Sequence, residues 1–72
     1  MGSIPSIWFI RQKYLALGWH KYTALKAAKL EREMYRWQVM QLQTRDTKHY
    51  ADCQKKIDEL NELLDLLIHA NM

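Results

Sequence analysis

The chain has 72 residues, 11 basic and 8 acidic, of which 49% are hydrophobic, with one cysteine, two glycines and one proline. A chain of this length forms one domain at most, and without a disulfide or a metal its core supplies only a few kcal/mol, so an enzyme with a catalytic cleft is not expected. Cys53 has no internal partner, which excludes the disulfide-stapled secreted class and points to a reducing compartment, inside the cell or an organelle.

Charge is segregated along the chain. Residues 1–30 carry Arg11, Lys13, Lys21, Lys26 and Lys29 and no acid, whereas residues 31–72 interleave six basic with eight acidic groups in the manner of solvated helix faces. At the N-terminus, Met1, Gly2 and Ser6 fit the M-G-x-x-x-[ST] pattern of N-myristoylation. Arg11 and Lys13 interrupt the longest apolar stretch, residues 4–19, so a spanning helix is not expected, and a signal peptide fits no better because its charges should precede the apolar run. An organellar transit peptide would be richer in arginine and serine, although the lack of acids agrees with one.

From Ser6 onward only Gly18 disfavours helix, by about 1 kcal/mol. The predicted first helix covers residues 6–43, capped by Ser3 or Ser6, with Pro5 suited to its first turn because the missing N–H would be unbonded there. Residues 43–47 contain no apolar side chain and form the turn, and Asp46 or Thr47 caps a second helix over residues 47–70. The second helix carries a heptad stripe, Tyr50, Cys53, Ile57, Leu60, Leu64 and Leu67, and the first carries a matching one, Thr23, Ala27, Leu30, Met34, Trp37 and Gln41. Paired about a turn near residue 45, the stripes match along their whole length, with bulky Trp37 over Cys53 and small Ala27 over Leu64. The expected fold is all-α: a long antiparallel helical hairpin, one domain over residues 1–72.

On this register the first helix outruns the second, and residues 1–19 form an apolar, basic arm with no facing helix. Its candidate partner-binding residues are Ile7, Trp8, Phe9, Ile10, Tyr14, Leu15, Leu17 and Trp19. Burying each is worth about 1.5–3 kcal/mol, so the arm needs a cover. Leu60, Leu63, Leu64, Leu66, Leu67 and Ile68, at the same end of the hairpin, also exceed what one facing helix can bury. Two arrangements satisfy both. In one, the chain bends at Gly18 and residues 6–17 fold back as a third helix onto these leucines. In the other, the helix runs through Gly18 and the arm docks on another molecule. Continuity is favoured, because at 100° per residue Trp8, Trp19, Leu30 and Trp37 fall within about 40° of one another.

The candidate chemistry is sparse. His49 and Cys53 have the i, i+4 spacing of a zinc pair, but Cys53 occupies the seam and no second pair exists, so no metal or other cofactor is expected. Asp58, Glu59, Glu62 and Asp65 read as a solvated face, with Lys55 and Glu59 spaced for helical pairing. Arg11, Lys13, Lys21, Lys29, Arg32 and Arg36 form a basic surface that could neutralise phosphates, although Glu31 and Glu33 interrupt it. The expected function is that of a non-enzymatic interaction protein, a small subunit or adaptor docking its aromatic arm into a larger protein assembly. A membrane surface is the next class of partner, reached by peripheral attachment through the tryptophans, the basic residues and an acyl chain. A basic helical module on nucleic acid is the alternative function, and no small-molecule substrate is expected.

Overall fold

A computed structural model describes residues 4–71; the Gly2 pattern and Ser3 lie outside the described residues. The chain is all-α, with helices α1 (Ile7–Ala16), α2 (Lys21–Gln43) and α3 (Thr47–Ala70). Of the two arrangements open from the sequence, the bent one forms. The single helix across residues 6–43 is interrupted at residues 17–20, and the arm is faced by the chain's own α2.

The interruption is a helix stop built around Gly18. Its φ is +89°, in the left-handed region that a side chain disfavours. The Gly18 N–H donates to the Leu15 carbonyl at 3.0 Å and the Trp19 N–H donates to the Tyr14 carbonyl at 3.2 Å, which closes the last turn of α1 in a Schellman motif. The apolar contact that accompanies this motif is also present, since the Tyr14 and Trp19 rings lie 4.7 Å apart at 41°. The chain is then released into α2, where His20 Nδ1 accepts from the Tyr22 N–H at 3.3 Å.

The other caps follow the expected chemistry. Ser6 Oγ accepts from the Phe9 N–H at 3.2 Å, and Asp46 Oδ1 accepts from the Lys48 N–H at 2.9 Å. Pro5 therefore precedes the cap of α1 rather than sitting in its first turn.

Helices α2 and α3 pack as the antiparallel hairpin. Cys53, Ile57, Leu60 and Leu64 bury the α3 stripe against Ala27, with Leu30, Met34 and Trp37 half-buried. At the turn end the seam becomes polar: Gln41 is buried, and its Nε2 donates to Gln54 Oε1 at 2.9 Å and to the Tyr50 carbonyl at 3.4 Å. Tyr50, expected in the seam, is 49% exposed, and it joins this polar bridge through its carbonyl.

Helix α1 packs along α2, and its backbone does not approach α3. Ala24, Ala28, Glu31 and Tyr35 form a second stripe on α2, about 100° around from the first, and the two alanines are fully buried. Ile10 and Tyr14 are buried in the same cluster as these alanines and Leu64, with Ile7, Leu15, Trp19, Leu67 and Ile68 packed around it. In the bent arrangement the arm folds back toward the leucines of α3; its backbone packs on α2, whose alanines allow close approach, while its side chains share a cluster with Leu64, Leu67 and Ile68. The Cα atoms span 41 × 26 × 13 Å. The width is what three helices need when α1 and α3 lie on different flanks of α2, at axial separations of about 8–10 Å.

Candidate interaction surface

Docking on α2 divides the eight arm residues. Ile10 and Tyr14 are buried, and Ile7, Leu15 and Trp19 are half-buried. Trp8, Phe9 and Leu17 remain 62%, 71% and 68% exposed, so two aromatics on α1 and the leucine at its C-cap are left in solvent. The apolar residues of α1 surround the helix, which lets it cover α2 and still present an apolar edge. Arg11 is half-buried, with its guanidinium 4.2 Å from the centre of the Trp8 ring, a cation–π contact that braces the indole.

What pins α1 is Glu31, the first acid in the chain. This carboxylate is buried at 6% exposure. Tyr14 Oη donates to it at 2.6 Å, Lys13 Nζ at 2.8 and 2.9 Å, and Tyr35 Oη at 3.3 Å. A buried carboxylate is tolerated only when its lone pairs are bonded and its charge is opposed, and here both conditions are met across the α1–α2 boundary. Burial, the hydrogen bond to Glu31 and the carboxylate charge, in that order, push the Tyr14 phenol well above the usual tyrosine range. Tyr35 moves in the same direction, first through burial and then through the charge of Glu31, with Lys13 opposing. The phenols are held as donors, and the cluster is a structural tie. Pro5, Phe9, Ile10, Lys13, Glu31 and Tyr35 line a cavity of about 140 Å³ beside it.

The predicted basic surface is distributed over two helices. Lys13 is bound to Glu31, and Arg36 Nη1 reaches Glu33 Oε2 at 3.5 Å. Lys21 and Lys29 are exposed and Arg32 is half-buried. His49 and Cys53 do not converge: the thiol is wholly buried in the hairpin seam, while the exposed His49 lies 3.1 Å from Thr44 Oγ1 through its Nδ1. Among the described residues, no three His, Cys, Asp or Glu side chains are grouped as a metal ion requires. Among the same residues, no helix is long and apolar enough to cross a membrane. On α3, Asp58 accepts from Gln54 Nε2 at 2.9 Å and faces solvent.

Sequence reasoning missed Glu31 as a tie, because it was read as a break in the basic surface. One signal could have found it. Tyr14 and Lys13 lie in a 30-residue stretch without acids, so their nearest carboxylate in sequence is Glu31, which continues a stripe with Ala24 and Ala28.

Comparison with protein-family models, with curated proteins and with solved structures finds no match to this chain. What the fold and surface define is a class: a small all-α protein whose first helix, locked to its neighbour by a buried carboxylate, holds an exposed aromatic edge.

Proposed function

We propose that the protein is a non-enzymatic interaction subunit or adaptor that docks the exposed edge of α1 into a larger protein assembly. The observation that carries this reading is the retention of Trp8 and Phe9 in solvent on a helix already fixed to α2, with Leu17 exposed at its C-cap. Aromatic side chains are favoured anchors at protein interfaces, and a braced tryptophan loses little conformational freedom on binding. Of the arm residues named from sequence, Ile10 and Tyr14 serve this role indirectly, by holding α1 in place. The nucleic-acid reading draws less support, since the carboxylates of Glu31 and Glu33 engage two of its six basic residues.

The test is the native mass of the tagged full chain in its source cells, compared with Trp8→Ser/Phe9→Ser. The wild type should migrate in an assembly much larger than itself or a pair of copies, and the variant, with unchanged helicity by circular dichroism, should be lost from that assembly. A wild type no larger than a pair of copies, or a variant that stays in the assembly, defeats the proposal. A complex that dissolves steeply with added salt indicates phosphate binding instead.

A further inference from the structure

The hairpin carries a second unpartnered surface, on the flank of α2 away from α1. There Lys26, Leu30, Leu63, Leu66, Leu67 and Ala70 line an apolar groove of about 340 Å³ between α2 and α3. Leu63 and Leu66 are 51% and 63% exposed. At 100° per residue, Tyr22 and Met40, also exposed, fall within about 40° of Lys26 on α2. On α3, Asp52, Lys56, Glu59, Leu63, Leu66 and Ala70 repeat with the alternating four-and-three spacing of a heptad seam, about 110° from the buried one. Both helices thus present a second seam toward the same groove.

We propose that this face is a dimer interface and that its occupant is a second copy of the chain. The chain exposes 5512 Å². A compact monomer of 8.7 kDa exposes ~4,700 Å². The surplus of roughly 800 Å² is spread over a flat molecule whose groove face and α1 edge are both uncovered. Charge selects a copy and fixes its orientation. The α2 rim carries Lys26, Lys29, Glu33 and Arg36 and is net basic, the α3 rim carries Asp52, Lys56, Glu59 and Glu62 and is net acidic, and in the hairpin register Lys26 and Lys29 stand level with Glu62 and Glu59, and Glu33 with Lys56. A two-fold axis parallel to the helices lays each α2 over the other copy's α3, so that unlike rims meet and every neighbouring pair is antiparallel. The product is a four-helix bundle with an isologous interface, centred on Leu63 and Leu66 from both copies. A two-fold axis across the helices would set like rims together and is disfavoured. Helix α1 stays outside the bundle, so the dimer forms whether or not the aromatic edge has a partner.

Sedimentation equilibrium of the full chain between about 5 and 200 µM tests this in the range where weak dimers dissociate. The wild type should reach twice its monomer mass. Leu63→Glu/Leu66→Glu should return it to the monomer mass with helicity intact, since both side chains are exposed in the single copy. Should that variant lose helicity, Lys26→Glu decides: its dissociation constant should rise about tenfold, and adding Glu62→Lys should restore it. A wild type that remains monomeric, a dimer that survives Leu63→Glu/Leu66→Glu, or a Lys26→Glu dimer as tight as the wild type overturns the proposal.

Discussion

Replacing Glu31 by alanine should free α1 while leaving the α2–α3 hairpin folded. The side chain joins the two units through the 2.6 Å bond from Tyr14, which is buried, and the 2.8 Å contact from Lys13, whose side chain is 54% exposed. Leaving the Tyr14 hydroxyl buried without an acceptor costs about 1–3 kcal/mol. The half-exposed lysine pair adds less than about 1 kcal/mol, because water and salt screen it. The expected loss is therefore about 1–4 kcal/mol, against a small-domain stability near 5 kcal/mol. Nothing comparable is removed from the hairpin seam, so the loss should be local. Amide hydrogen exchange resolves it: protection should fall across α1 and persist around Cys53, Ile57 and Leu60. Glu31→Leu combined with Tyr14→Phe should be less damaging than the two single changes predict, because replacing both partners strands no polar group. Unchanged protection of α1 in Glu31→Ala would refute the role of the carboxylate. Equal loss in all three helices would show that the molecule opens as one unit.

Gly18→Ala should destabilise the fold by about 1–2 kcal/mol in urea denaturation, since its Cβ meets nothing within 4 Å and the penalty is the left-handed backbone alone. An unchanged midpoint would show that the stop does not depend on glycine. Stability should be insensitive to Tyr14 ionisation below pH about 10, where the unfolded tyrosine begins to lose its proton, and should fall as pH rises further because the folded phenol retains it. Tyr14→Phe should flatten that alkaline slope, and an identical slope would count against the tie. Cys53 is wholly buried, so its thiol should react with a disulfide reagent at the rate of unfolding; Cys53→Ala should cost about 1 kcal/mol, and retained stability would mean a misplaced seam.

The hairpin was legible because its seam is written in residues that announce burial: Cys53, Ile57, Leu60 and Leu64 opposite Ala27 and Leu30. Asp46 and Ser6 were legible as caps for an equally local reason. The α1–α2 contact was not, because its α2 half is made of two alanines, a glutamate and a tyrosine, none of which reads as apolar bulk. Small residues matter there by permitting close approach, and a helical wheel does not weigh that. At Gly18 local chemistry overrides the continuity of the helical wheel. The angular agreement of Trp8, Trp19 and Leu30 describes a helix that would form if nothing ended it, whereas glycine followed by Trp19 over Tyr14 supplies a complete stop. The exposed edge of α1 was only half legible, since sequence gave the apolar residues of the arm but not which of them α2 would claim.

Helix α1 has ten residues, fewer than an isolated helix needs to persist in water. It is helical because Ser6 caps it, Gly18 ends it, and Glu31 with the alanines of α2 holds it. Trp8 and Phe9 are therefore presented on a preformed scaffold, and a partner that captures them has no arm to order. This has a measurable consequence under the proposed function. Glu31 is buried against α1 and lines a cavity with Phe9, and Glu31→Ala should weaken association in proportion to the fraction of chains whose α1 has left α2, since only the docked helix is competent to bind. Trp8→Ser should weaken association without changing that fraction. If Glu31→Ala binds as tightly as the wild type while its α1 exchanges freely, the arm docks as a mobile segment and the scaffold plays no part in recognition.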